Sequence, residues 1–246
     1  MTGVVIARDE ATNIADCLHS LAWADERLVV DSGSRDDTVA IARRCGARVK
    51  VRPFTNFAEQ RNAALEWATT EWVFFLDADE RAGPRLASEI RAVLESDYAG
   101  FWAPRRNVIL GHRMRGGGWW PDRQLRLLRR DRAYYDPGQG VHEVAVLDGD
   151  AGTLEAPITH YNYRRLSQLF VKQGRYARQD AVDRFRRGDQ VRPHQLVLQP
   201  LRAFRRRFVE WHGYRDGLLG GFLAALLAWY ELVTLVQLAR LRRAAR

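Results

Sequence analysis

The chain has 246 residues, 46% of them hydrophobic and 28% charged, which argues against disorder and supports a core held without disulfides or a structural metal. Cys17 and Cys45 form no C-x-x-C or finger pattern, so neither a zinc module nor a disulfide scaffold is expected, and the composition suits a reducing compartment. The net charge of +9 is uneven: residues 1–159 hold 21 Lys/Arg against 24 Asp/Glu and residues 160–246 hold 18 against 6, a basic third that suits nucleic acid, anionic lipid or a phosphorylated substrate.

Met1-Thr2 runs straight into the apolar Gly3-Val-Val-Ile-Ala7, a strand pattern with no charged n-region or cleavage site, so no signal peptide is expected. Ile14, Cys17, Leu18 and Leu21 then recur at helical spacing behind a cap at Thr12 or Asn13. Leu28-Val-Val30 predicts a second strand ending at Asp31, Thr38–Cys45 a helix, Ala47–Val51 a third strand and Phe57–Ala68 a further helix. Trp72-Val-Phe-Phe-Leu76 is a fully apolar strand that ends in Asp77-Ala-Asp-Glu80, and Leu86, Ile90, Val93 and Leu94 share one face of the helix after Pro84. From residue 98 the pattern is irregular and strand-rich, with turns at Gly116-Gly-Gly118, Pro121 and Asp136-Pro-Gly138, and after Arg164 it is mainly helical.

Strands alternating with helices of this length predict an α/β fold with a mostly parallel sheet covered on both faces. Ligands bind such sheets beyond the carboxyl ends of the strands. Polar clusters fall at those ends: Arg8-Asp-Glu10, Asp31-Ser-Gly-Ser-Arg-Asp-Asp37 and Asp77-Ala-Asp-Glu80, which predicts three acidic loops on one rim. Ser32–Asp37, with its glycine and short polar side chains, reads as scaffold and turn. Asp77 and Asp79 flank one small residue at the end of a buried strand, so their carboxylates can reach one divalent cation, or a cation and a ribose. Hard oxygen ligands of this kind suit Mg²⁺ or Mn²⁺ bridging to a diphosphate. An isolated Asp-x-Asp also fits a solvated strand end.

These residues resemble family 2 glycosyltransferases, which have the nucleotide-sugar-binding GT-A fold. The resemblance runs through Val4-Val-Ile-Ala-Arg-Asp-Glu10, Leu28–Thr38, Phe57-Ala-Glu-Gln-Arg-Asn62 and Trp72–Glu80, four ordered motifs. Asp122-x-x-x-Arg126-Leu-Leu-Arg-Arg130, Val141-His-Glu143 and the helical C-terminus resemble, within that family, the small bacterial WaaE-like enzymes of lipopolysaccharide core assembly. The resemblance implies a GT-A domain over residues 1–163, with a nucleotide-binding half at about 1–97 and an acceptor and catalytic half at about 98–163, followed by a basic helical region over 164–246. It implies that Asp31 and the Ala7-Arg8-Asp9-Glu10 segment meet the base or ribose, that Arg61 faces the nucleotide or its phosphates, that Asp77 and Ala78 line the sugar-nucleotide site, and that Asp77 and Asp79 hold the cation. For Asp31 the alternative is a loop aspartate closing an Asx-turn.

Inverting transfer needs a base that takes the proton of the acceptor hydroxyl, while cations stabilise the departing diphosphate. Glu143, in Gly140-Val-His-Glu143, resembles the catalytic acidic motif, with His-Glu in place of the usual Glu-Asp; Asp122 is the competing base. His142 and His160 could complete the metal site or orient the acceptor, and either also fits a structural role. Arg123, Arg126, Arg129 and Arg130 offer guanidinium to a diphosphate, with Arg126 favoured and a solvated face as the equal alternative. The Gln-x-x-Arg-Trp motif of the processive members is absent, which points to addition of a single sugar.

Leu218–Ala239 has the length of a transmembrane helix but carries Glu231 near its middle and arginines at both ends, so a helix packed on the domain or lying in the membrane interface is expected. Arg202, Arg205, Arg206 and Arg207 beside Phe204, Phe208 and Trp211 predict a basic aromatic helix suited to an anionic leaflet. The expectation is an inverting, metal-dependent enzyme that moves a sugar from a nucleotide-sugar donor, UDP by family frequency, to a lipid-linked saccharide acceptor at the cytoplasmic face of the inner membrane. Transfer to polyprenyl phosphate is the neighbouring alternative. A basic nucleic-acid-binding protein, the alternative of another class, leaves the acidic rim unexplained.

Overall fold

The computed structural model describes residues 1–139 and 144–245. The chain divides into two compact units, Met1–Arg106 with Arg123–Tyr161, and Asn107–Asp122 with Asn162–Arg246.

In the first unit the apolar runs become strands. β1 (Thr2–Ala7), β2 (Glu26–Asp31), β3 (Arg48–Val51) and β4 (Trp72–Asp77) pair in parallel in the order β3-β2-β1-β4. They are linked by α1 (Ile14–Ser20), α2 (Thr38–Arg44) and α3 (Phe57–Trp67). Period-two alternation sends successive side chains of β4 to opposite faces. Phe74 and Leu76 join a core with Ile14, Leu18 and Leu86, and Val73 and Phe75 join another with Val4, Leu28 and Leu65. Both faces of the sheet are therefore covered, and each fully buried Phe contributes about 2–3 kcal/mol. Asn56 caps α3 by accepting from Glu59 N at 2.8 Å.

The register places the loops. Ala7 lies opposite Asp31, and Ile6 opposite Asp77, so the β1, β2 and β4 ends are adjacent and their acidic loops share one rim, as the sequence predicts. Beyond β4 come β5 (Glu80–Ala82), α4 (Pro84–Val93), β6 (Gly100–Ile109), the short β7 (His112–Arg113), β8 (Asp122–Arg129), β9 (Ala133–Tyr134), β10 (Val146–Leu147), β11 (Ala151–Thr153) and β12 (Ile158–Tyr163). β8 runs antiparallel to β4, and β12 antiparallel to β5, so the sheet is parallel at its N-terminal side and mixed thereafter.

The second unit contains α5 (Leu166–Arg186), α6 (Gln195–Arg205) and α7 (Gly217–Ala244) around Ile109, Met114, Tyr163, Leu169, Leu223 and Leu226. The basic aromatic segment is not one helix: α6 gives way to a π-helical stretch, Arg206–Glu210, and a 3-10 turn, Gly213–Asp216. The segment after α6 is locked onto the glycine loop. The buried Asp216 carboxylate accepts from Arg115 N at 2.8 Å and Gly116 N at 3.0 Å and lies 3.0 Å from His112 Nε2. A Cβ at Gly116 would stand 2.2 Å from the His212 carbonyl oxygen, so only glycine permits this approach.

Glu231 is paired within the second unit. It takes a bidentate pair from Arg184 of α5 at 2.9 and 3.4 Å. Among the described residues one helix, Gly213–Ala244, is long and apolar enough to cross a membrane by length and composition.

Candidate active site

A two-residue turn joins β4 to β5, and Asp77-Ala-Asp79 spans the end of β4 and this turn. Asp77 is held from two directions. Its backbone N–H donates to Glu80 Oε2 at 3.0 Å, and its carboxylate accepts both arms of Arg126, Nη1 at 3.3 Å and Nη2 at 2.7 Å. Arg126 Nη2 also reaches Glu80 Oε1 at 3.1 Å, and Arg105 Nη1 reaches the same oxygen at 3.3 Å. Burial alone would raise the Asp77 carboxyl, but Arg126, with the charges of Arg61 and Arg105, holds it well below the usual carboxylate range. Burial pushes the Glu80 carboxyl up, with Arg126 opposing and Asp77 adding to the rise.

Arg126 was expected to clamp a diphosphate. Its buried guanidinium instead grips Asp77 and Glu80, because a strand position between a buried carboxylate, Glu80, and a partly exposed one, Asp77, suits a planar five-donor cation. It acts here by fixing the first aspartate of the turn.

Both carboxylates of the pair are partly accessible, the Asp77 side chain by 40% and the Asp79 side chain by 24%. Asp79 Oδ2 lies 3.3 Å from His160 Nε2, and the Asp79 carbonyl accepts from Tyr161 N at 3.0 Å. The antiparallel register of β12 on β5, His160 opposite Glu80, delivers the histidine to this point. Two cis ligands of an octahedral cation with arms of about 2.1 Å are separated by about 3.0 Å, so the Asp79–His160 spacing fits one cation with phosphate oxygens and water in the remaining positions. Among the described residues no group of three or more His, Cys, Asp or Glu side chains could hold a metal ion. Arg81 steadies the turn, donating to the Ala78 and Glu80 carbonyls at 2.8 and 2.7 Å and to Asn13 O of the first acidic loop at 3.1 Å. Ala78 itself is buried.

The first two acidic loops are laced together. Arg35 N donates to Asp9 Oδ1 at 2.7 Å, Asp9 N to Ser34 Oγ at 2.9 Å, Glu10 N to Thr38 Oγ1 at 2.8 Å and Ala11 N to Asp36 Oδ2 at 3.0 Å. Asp9 adopts a left-handed φ of 56°, a conformation Asp tolerates better than most residues. Ser32–Asp37 is thus scaffold, as its composition predicts. The Asp31 carboxylate accepts from Gly33 N at 3.0 Å, Ser34 N at 2.9 Å and the Ser34 hydroxyl, and only 1% of the residue is accessible. It closes an Asx-turn, the geometry of the alternative that the sequence left open. Ala7 is likewise buried, its carbonyl accepting from Ser32 N at 2.8 Å, whereas the Arg8 side chain is exposed.

Arg61, on α3, lies 5.3 Å from the Tyr135 ring centroid and adds to the positive field at Asp77. Its neighbour Asn62 exchanges two bonds with the Tyr135 backbone, at 2.7 and 2.8 Å. Asp122 belongs to the second unit, where it accepts from Asn107 Nδ2 at 3.3 Å. Glu143 and His142 lie outside the described residues. Sequence reasoning missed Glu80, Arg105 and Asn62 as organisers. The available signal for Glu80 was the alternation Glu80-Arg81-Ala82, which buries the first and third side chains.

The profile of the family described as Glycosyl transferase family 2 matches residues 3–145. The lipopolysaccharide core biosynthesis glycosyltransferase LpsC of Rhizobium meliloti (strain 1021) is 28% identical, over 95% of this chain and 90% of that protein. An uncharacterised glycosyltransferase of Rickettsia conorii is 25% identical, over 100% of this chain and 90% of its own length. Among solved structures, the mannosyltransferase PcManGT of Pyrobaculum calidifontis, in complex with GDP-Man and Mn²⁺, superposes with a TM-score of 0.56 at 16% identity, covering 97% of this chain and 86% of that one. S. aureus TarS 1-349 gives a TM-score of 0.50 at 17% identity, covering 100% and 91%. The fold shared with these structures is GT-A.

Proposed function

This chain belongs to glycosyl transferase family 2, and from that premise we propose an inverting enzyme that moves a single sugar from a nucleoside-diphosphate sugar, of the UDP class, to a lipid-linked saccharide acceptor in lipopolysaccharide core assembly. The observation that carries the donor site is the turn Asp77-Ala78-Asp79 with His160 against Asp79. The acceptor class rests on the likeness to LpsC over nearly the whole chain and on the basic C-terminal third.

Asp79 and His160 would hold a divalent cation, Mg²⁺ or Mn²⁺, whose bound chemistry is neutralisation of the charge on the departing diphosphate. Asp77, kept ionised by Arg126 and held in place by Arg126 at its carboxylate and by Glu80 at its backbone N–H, presents a fixed carboxylate beside them, preorganised for the ribose or the cation. The Arg8-Asp9-Glu10 loop, cross-linked to the second acidic loop, walls the nucleotide side, and Arg61 faces the phosphates. Glu143 takes the proton of the acceptor hydroxyl as that oxygen attacks the anomeric carbon and the bond to the diphosphate breaks. The reading places the enzyme at the cytoplasmic face of the inner membrane as a peripheral protein.

A Glu143→Gln variant is expected to lose at least about a hundredfold in turnover while keeping donor affinity. Undiminished turnover would remove Glu143 from the role and transfer it to Asp122, tested by Asp122→Asn.

A further inference from the structure

We propose that the exposed face of the α6–α7 hairpin is a docking surface for an anionic phospholipid bilayer, an inference that deepens the lipid-linked-acceptor reading by naming the surface that meets the lipid. Along α7 the apolar side chains sort by helical period. Leu223, Ala224, Leu226 and Leu235 face the interior of the second unit, while Leu218, Phe222 and Trp229 are exposed by 95%, 40% and 59%. These three positions fall at i, i+4 and i+11, with the exposed Ala225 between them, and so share one face of the helix. On α6, Val197 and Leu201 repeat the pattern at i and i+4, each more than 60% exposed. A Cβ on Gly221 would lie 3.7 Å from the Phe208 ring, so the chain leaving α6 returns beside the start of α7. Isolated exposed apolar side chains are ordinary, but a run along two adjacent helices marks an interaction surface.

The basic residues select the occupant. Arg202 and Arg206 are exposed next to the α6 stripe, and Arg206 lies 5.0 Å from the centroid of the half-exposed Trp211 ring, an amphipathic pairing suited to the headgroup layer. A second copy would set the same arginines against each other across a symmetric contact in a region of 18 Lys/Arg against 6 Asp/Glu. An anionic leaflet matches both the charge and the apolar stripe. Spanning is disfavoured by polar ties on the opposite side of α7: Arg184 on Glu231, Tyr230 Oη donating to Phe170 O at 3.0 Å, and Thr234 Oγ1 donating to Ala177 O at 3.3 Å.

The test is flotation of the full chain with vesicles of phosphatidylcholine, alone or mixed with phosphatidylglycerol, comparing wild type with Leu218→Ser/Phe222→Ser and Arg202→Glu/Arg206→Glu. Wild type is expected to float only with the mixed vesicles and to be released by salt, and each double variant to bind at least about tenfold more weakly with an unchanged melting curve and unchanged transfer to a detergent-free, soluble saccharide acceptor. Binding unaffected by both variants would overturn the proposal, as would a wild-type dimer in solution that Leu218→Ser/Phe222→Ser dissolves. Transfer to the soluble acceptor without vesicle binding refutes this surface alone, and vesicle binding without any transfer refutes the enzymatic reading alone.

Discussion

At the scale of single residues, the two carboxylates of the turn are held by different partners. Asp77 is fixed by a buried arginine, and Asp79, partly accessible as Asp77 is, stands beside His160. Asp79→Ala is therefore expected to lower turnover by about a hundredfold or more, with His160→Ala following in the same direction, measured as sugar transfer at saturating donor. Arg126→Met removes the cation shared by Asp77 and Glu80, and breaking such a buried network costs about 3–5 kcal/mol at neutral pH, read in urea melts. The pH sign follows from the lowered Asp77 carboxyl: a depressed folded-state value contributes stability above the ordinary carboxylate range and loses it as the pH falls toward the folded value. The wild-type and Arg126→Met stability curves should thus converge in acid; a gap that widens there would show that Asp77 is not the group held by Arg126. Cys17 sits behind this turn with its Sγ 3.4 Å from Asp77 O, and burial raises its thiol far above the normal value, so alkylating reagents should leave it unmodified in the folded chain.

At the scale of elements, the parallel half of the sheet was legible because its strands are short apolar runs ended by polar clusters, and because burial on both faces needs no alternation. Val4–Ala7, Leu28–Val30 and Trp72–Leu76 all fall within observed strands. Beyond residue 98 the pairings are mixed, and the one that builds the site joins β12 to β5 from far apart in sequence, so nothing local announced that His160 would be delivered to Asp79 by a register with Glu80. Asp31 and Arg126 show the same limit from the other side. A motif gives the residue type, but whether a carboxylate faces a ligand or its own loop depends on the two backbone N–H groups that happen to point at it. The Gly116-Gly-Gly118 loop read only as a turn, whereas the structure uses it as the seat for the His212–Asp216 segment. Gly116→Ala, with its Cβ 2.2 Å from a carbonyl oxygen, should cost about 1–3 kcal/mol and lower the melting temperature, and a neutral result would mean that this lock is not formed.

At the scale of the whole molecule, the uneven charge acquires a meaning: the acidic rim belongs to the first unit and the basic excess to the second. A peripheral rather than spanning attachment predicts that high salt or carbonate strips the protein from bacterial inner membranes, while a requirement for detergent would contradict it. The account as a whole depends on a nucleotide site built on Asp79. The measurement that tests it most directly is the thermal shift of the purified chain with UDP, GDP, ADP and dTDP, each with Mn²⁺ or with chelator, on wild type and Asp79→Ala. A nucleotide at about 100 times its dissociation constant stabilises the folded state by about 2.7 kcal/mol, well within detection. The account predicts a shift with UDP that vanishes with chelator and in Asp79→Ala; an equal shift in the variant, or none with any of the four nucleotides in a folded sample, would contradict it.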